Sequence, residues 1–445
     1  MSSLPACADR LPAVRSAPPE PATVRRVVHP LSWRGTGFVV DFILFDGEPD
    51  AAALLSTCRW ARDSGLENPR LVGPRMLEWS SLFHPAFYAA VVRTSSAHGG
   101  RTLRFVGGRD RVMFDAEPFR QQSILFLSAV TMSAAIIQGR WSRGTIESKF
   151  DRLWQAATSD VLSALIDDAR LRAEVCGMAE GGMAPVELLL AIRRLFLRTI
   201  AAIADDGAVE RIVITADTGE RRARFGFVPM FARRIPALVA IIAYGSSVSS
   251  NDYADIDLLL VTEDAEATLR LLANSKPTWR GKELNIGVYT PAELWTMQRL
   301  SGDNLGDYGL CLHGSVDLPH KPLGVLLARN LSFGLVRQRQ QLGMLPRAML
   351  PSPAGDDRRN LYQYFTKIPA NIAKGTFGAT GSRRTKAMVS DWLLHCAGFD
   401  TPREQALALA GDPSGPLARA AIATGGALDA LNAELRIVET VSGDG

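Results

Sequence analysis

The stretch that most limits what this chain can fold into is LVAIIAYGSSVSSNDYADIDLLLVT, residues 238–262. An apolar run closes in a small-residue turn at Gly245. Ten residues beyond that glycine, Asp255 and Asp257 flank Ile256 at the head of a second apolar run. Residues two apart on a strand point to the same side, so the aspartates project together while Ile256 enters the core. Two carboxylates at that spacing repel each other unless a cation lies between them. Hard divalent ions, chiefly Mg2+, suit the pair because they take oxygen ligands and keep waters and substrate phosphates in the rest of their shell. The turn supplies the complementary half. Gly245 lets backbone approach a phosphate, Ser246 and Ser247 offer hydroxyl and amide donors, and the next segment opens a helix whose N-terminus attracts anions. A lone Asp-x-Asp reads as a solvated strand end. Strand, Gly-Ser turn, gap and acid pair together are far more specific.

The next strand candidate is GKELNIGVYT (281–290). Alternation puts Glu283, Asn285 and Gly287 on one face. Glu283 is the only acid of the three and the expected third metal ligand; a solvent-facing residue at a strand end is the alternative.

At 445 residues the chain accommodates two to three domains. Its 47% apolar and 22% charged content is globular, not disordered, and a net charge of +4 gives no global nucleic-acid reading. Cys7, Cys58, Cys176, Cys311 and Cys396 form no CxxC pair and no zinc spacing. They read as reduced thiols, most of them core fillers, in a cytoplasmic protein. The longest apolar stretches, such as residues 125–137, fall short of the roughly 18 that suggest a membrane span, and the first 28 residues lack the apolar core of a secretory signal.

The fold class expected is α+β, in five segments. Residues 1–28 form a disordered tail. Residues 29–115 form an α/β unit with a strand at GFVVDFILF (37–45), a helix through AAALLSTCRWA (51–61) and a hairpin from FYAAVV (87–92) to RTLRFVGG (101–108). Residues 116–230 are helical and end in a hairpin, ERIVITADTGERRARFGF (210–227), turning at DTGE. Residues 231–320 are the catalytic domain, a small mixed sheet, and 321–445 a helical region closing its cleft. The stretch VVDFILFDGEPDAAALL (39–55) echoes DIDLLLVTEDAEATLRLL (255–272): an acid on an apolar strand, an acidic turn, an Ala/Leu helix. A diverged duplication explains the echo, and so does the common look of strand–turn–helix units. Only WRGTGF stands ahead of Asp41, without a Gly-Ser turn, so Asp41 is expected to be structural or vestigial and its unit degenerate.

Two basic stretches are candidate contacts for anions. KGTFGATGSRRTK (374–386) carries Lys374, Arg383, Arg384 and Lys386, and suits either a triphosphate or lipid head-group contact or a mobile surface loop. RNLSFGLVRQRQQLGMLPRAML (329–350), with Arg337, Arg339 and Arg347, favours ordinary amphipathic packing over an interfacial role. FVGGRD lacks the Lys-Ser/Thr of a P-loop, no Ser/His/Asp set stands out, and His313 in CLHGS reads as structural.

The Gly-Ser turn followed by the acid pair closely resembles the nucleotidyltransferase superfamily related to DNA polymerase beta. That resemblance implies a two-metal site completed by a third carboxylate on a neighbouring strand. One ion orients an NTP triphosphate, and the other activates an acceptor oxygen for in-line attack at the α-phosphorus. The superfamily usually has Asp near the third position, where this chain has Glu283. Several strings are similar, in order, to motifs of the soluble, mitochondrial-type phosphatidate cytidylyltransferases: VVDFILFDGEP, LVGPRM (71–76), GGRTLRF (99–105), AYGSSV and GKELNIGVYTPAEL. Not every later motif of that family is found. The narrower resemblance implies Mg2+-dependent transfer of CMP from CTP to phosphatidate, with CDP-diacylglycerol and pyrophosphate as products, by a protein attached peripherally at the membrane. The other readings open at this point are a soluble small-molecule, protein or RNA acceptor, and a nucleotide-binding regulator without turnover.

Overall fold

The computed structural model describes residues 22–29, 38–66, 69–83, 209–273, 275, 277–349, 412 and 414–442, together with 186, 187, 190, 193 and 194. The expected hairpin at 87–108, most of the helices at 116–204 and the basic stretch 374–386 lie outside these residues. By its contacts the chain divides into two units. One comprises 1–119, 158–167 and 323–445, the other 120–157 and 168–322.

The first unit opens with β1 (Ala22–His29), antiparallel to β2 (Phe38–Phe45). The tail expected through residue 28 is therefore shorter: Thr23, Val24, Val27 and Val28 are β-branched and favour a strand. Helix α1 (Ala51–Asp63) follows, its first turn capped by Asp50, whose carboxylate accepts from the Ala53 amide at 2.8 Å. It leads to β3 (Arg70–Val72), parallel to β2, and to α2 (Pro74–Phe83).

The second unit is built on a six-stranded sheet. Strand β4 (Glu210–Thr215) is followed by a 3-10 helix over Glu220–Phe225 and by α3 (Val228–Arg234). Then come β5 (Leu238–Tyr244), the short α4 (Ser246–Ser249), β6 (Asp255–Thr262), α5 (Ala265–Leu272), β7 (Thr278–Trp279), β8 (Lys282–Tyr289), α6 (Pro291–Leu300) and β9 (Leu310–His320). The strand order is β4-β9-β5-β6-β8-β7, with β6 and β8 parallel and the remaining pairs antiparallel. A mixed sheet with helices agrees with the α+β expectation at that level.

DTGE does not turn a hairpin, because β4 pairs with the distant β9 and the residues after the turn coil into the 3-10 helix. The reason is aromatic and polar anchoring. Phe225 and Phe227 stand edge to face at 6.0 Å, and Phe227 meets Phe231 and Trp279 at 5.7 and 5.8 Å. The same β9 also pairs with β5 through its first half. Gly314 makes the change of partner possible, with φ +68 and a position where a β-carbon would fall 1.8 Å from the Val239 carbonyl oxygen.

Both faces of the central strands are buried. Ala240, Ile242, Leu259, Val261, Leu294, Leu305 and Leu318 share one core cluster, while Ile241, Ile256, Leu258, Leu260 and Ile286 are buried on the opposite side of their strands. Each buried Leu, Ile or Val among them contributes roughly 1.5–3 kcal/mol relative to leaving it exposed, which explains why β6 reads as an unbroken apolar run past its two acids.

Helices α7 (Leu323–Ala348) and α8 (Ser414–Ser442) return to the first unit. Leu342, Leu345, Leu417 and Ala421 share a core with Phe42, Ile43, Leu54 and Leu71, so these helices pack on the first sheet. Arg339 is only 4% exposed and donates to Ser80 Oγ at 3.3 Å, which fits the packing role expected of its helix and removes it from any lipid-facing set. Cys58 and Cys311 are free and buried, and burial pushes the Cys58 thiol up to about 12. No helix among the described residues is long and apolar enough to cross a membrane.

Candidate active site

The site begins with the strand that ends in Tyr244. Gly245 follows with φ +77 and ψ −155, a conformation essentially restricted to glycine. A β-carbon there would lie 2.5 Å from Asp257 Oδ2, so the turn can rest against Asp257 only because Gly245 has no side chain. The backbone then makes the single turn of α4, and Ser250 N donates back to Ser246 O at 2.8 Å.

Strand β6 places the acids as alternation requires. Ile256 is completely buried, while Asp255 and Asp257 are half-buried on the other face. Across the antiparallel pair Asp257 stands opposite Tyr244. Across the parallel pair Asp255 lies beside Glu283 and Asp257 beside Asn285. The Asn285 amide donates from Nδ2 to Asp257 Oδ1 at 2.8 Å. A carboxylate oxygen accepts and does not donate, so the nitrogen end of the amide must face it.

The expected site residues are thus distributed unevenly. Gly245 and Asp257 touch, and Asp255 and Glu283 occupy neighbouring register positions on the same sheet face. Ser246 is half-buried in the turn. Ser247 is 1% exposed, and its hydroxyl donates to the Tyr244 carbonyl at 3.3 Å, back into its own strand. Among the described residues no three Asp, Glu, His or Cys side chains form a group able to hold a metal ion. Asp255 and Asp257 fit one hard ion whose other positions are filled by water and phosphate oxygens.

Four residues not singled out from the sequence frame this pair. Tyr244 points its ring into the same neighbourhood. Burial, then the charge of Asp257, with smaller effects from Tyr289, Asp303 and Asp255, push its hydroxyl above the usual tyrosine value and keep it a neutral donor. Asp303, in the loop before β9, accepts a hydrogen bond from Tyr308 at 2.6 Å, and its charge also acts on Tyr244. Arg224 braces the turn from outside: Nη1 donates to Ser250 O at 2.8 Å and to Ser247 O at 3.3 Å, and Nη2 bonds the Asn251 side chain. Trp279 Nε1 in turn donates to Arg224 O at 3.0 Å. Only a tertiary arrangement reveals these roles, because Arg224 lies 26 residues before Ser250 and on the far side of β5 in sequence.

The opposite ends of β6 and β8 carry a different feature. An open depression of about 600 Å³ is lined by Arg193, Arg194, Glu263, Asp264, Glu266 and Glu293. Its charges are largely matched: Arg193 pairs with Glu293, Arg194 pairs with Glu266, and Asp264 caps α5. It reads as a salt-bridged seam between helices. Comparison with protein-family models, with curated proteins and with solved structures found no match.

Proposed function

We propose that this chain is a Mg2+-dependent nucleotidyltransferase that moves an NMP group from an NTP to an acceptor and releases pyrophosphate. The observation that supports it is the packing of a side-chain-free turn at Gly245 directly against Asp257, with Asp255 two residues away on the same strand face. Asp255 and Asp257 would hold the ion, which supplies positive charge to the triphosphate. The Gly245–Ser246 turn would admit phosphate oxygens close to backbone, and Arg224 would keep that turn in shape. Tyr244 would present a neutral hydroxyl beside the pair. Such preorganised charge and positioning account for most of the catalysis of phosphoryl and nucleotidyl transfer.

Within this class the favoured donor and acceptor are CTP and phosphatidate, on the strength of the ordered sequence resemblances. The acceptor would be met at a bilayer surface by peripheral attachment. Incubation with each labelled NTP, Mg2+ and either phosphatidate vesicles or a pool of soluble metabolites tests the proposal. Label transferred to lipid from CTP alone is the expected result. Transfer to a soluble compound would move the acceptor out of the lipid class. Nucleotide binding without any transfer would leave the regulator reading and overturn the enzyme.

A further inference from the structure

The position beside Asp257 on the neighbouring parallel strand is held by an amide, and the nearest acid on that strand, Glu283, lies beside Asp255 instead. In a parallel pair the residue beside Asp257 on β8 projects from the same face, and that residue is Asn285. Its Nδ2 donates to Asp257 Oδ1 at 2.8 Å, while Asp257 Oδ2 lies toward Gly245. An N–H pointing at Oδ1 carries a positive end into the space a second cation would need, and an amide adds no negative charge to hold that cation. Glu283 stands one alternation back, beside Asp255 rather than Asp257. Among the described residues no three acids converge as a metal group.

We infer that Asn285 is a positioning residue that fixes Asp257 for a single divalent ion, and that its place on β8 is where a carboxylate would create a second site. This rests on the proposed metal site at Asp255 and Asp257 and specifies how that site is loaded. Asn285 acts through Asp257: it orients one oxygen and so fixes the direction in which the other faces the turn. Hydrogen-bonding partners of metal ligands typically change metal affinity by about 10–100-fold when removed.

The test is a Mn2+ titration of the full chain, counting free ion by electron paramagnetic resonance, with circular dichroism melts to confirm folding. The unaltered protein should bind one Mn2+ that Asp257→Asn abolishes. Asn285→Asp should bind two. Asn285→Ala, which removes the donor without adding charge, should still bind one, at least about tenfold more weakly. Two Asp257-dependent ions in the unaltered protein would overturn the single-ion inference while leaving the site in place. A folded Asn285→Ala with unchanged affinity would overturn the positioning role. A folded Asn285→Asp that still binds one ion would overturn the claim about that position on β8, and if this variant does not fold, the other two counts decide the inference. No Asp257-dependent Mn2+ at all would overturn the metal site itself.

Discussion

Two stretches of this chain follow one path. In the first unit β2, α1, β3 and α2 run strand, helix, parallel strand, helix, with β1 antiparallel beside β2. In the second unit β6, α5, β8 and α6 do the same, with β5 antiparallel beside β6 and the short β7 inserted before β8. The details agree further. Each first helix is capped by an aspartate that accepts from the amide three residues on, Asp50 from Ala53 at 2.8 Å and Asp264 from Ala267 at 2.9 Å. Each second helix opens on a proline, Pro74 or Pro291, and buries the leucine three residues later, Leu77 or Leu294. The frames part at the strand acids. Asp41 is completely buried, whereas Asp255 and Asp257 are half-buried beside the Gly245 turn. The common frame follows from apolar pattern and caps, and the site from the turn that precedes one strand. The shared path fits a diverged duplication and equally the common look of strand–helix units.

Substitutions at several positions distinguish the two frames. The largest effect expected below that of the acid pair itself is at Gly245. Gly245→Ala needs a β-carbon 2.5 Å from Asp257 Oδ2 at a φ of +77, so the turn must move away from the acid. Nucleotidyl transfer should fall by about 100-fold or more, since displacements near 1 Å have that effect. Normal turnover would mean that contact between turn and acid is not required. Next is Asp41→Asn, which should lower stability by about 1–3 kcal/mol in urea melts because a wholly buried carboxylate loses its native partners. Specific activity of the folded fraction should stay near normal. A stable variant with lost turnover would assign chemistry to the first frame.

Smaller effects are expected farther from the acids. Arg224→Gln removes charge-assisted bonds to Ser247 O and Ser250 O, and should reduce kcat/KM about tenfold, or roughly 1.4 kcal/mol, with little change in melting. Unaltered kcat/KM would show the turn holds its shape without this brace. Smallest is Glu266, an acid in the first turn of α5 that α1 lacks. A hydrogen bond from Arg194, reinforced by its charge, holds the Glu266 carboxyl below its ordinary value of 4.5. A lowered native value means the contribution is complete above pH 4.5 and is lost as pH falls through the native pKa. The pair is 53% and 32% exposed, so Glu266→Gln should lose only about 0.2–1 kcal/mol at pH 7 and nothing in strong acid. A loss that persists at pH 2 would point to packing instead of charge.

Much of this was legible in the sequence because it is local. Alternation placed Asp255, Ile256 and Asp257 correctly, and the strand and helix at residues 38–63 follow from apolar runs broken by DGEPD. The echo between residues 39–55 and 255–272 proved to be two equivalent strand–helix pairs. What escaped is non-local. DTGE has turn chemistry, yet the partner of β4 is β9, with Thr215 opposite Ser315 and Glu210 opposite His320, and an aromatic cluster claims the segment after the turn. The inward turn of Ser247 depends on where the Tyr244 carbonyl lies, and the Asn285 bond depends on parallel register. Neither quantity is set by spacing along the chain.

The most direct test of the central claim sets the two frames side by side in one assay. Pyrophosphate release with the competent NTP and acceptor is measured for the unaltered chain, for Asp41→Asn and for Asp257→Asn, each confirmed as folded by circular dichroism. Loss of a metal-holding acid should reduce turnover by roughly 10³-fold or more, so Asp257→Asn should be nearly inactive while Asp41→Asn keeps most of its rate per folded molecule. Equal loss from both folded variants, or near-normal turnover by Asp257→Asn, would contradict the account.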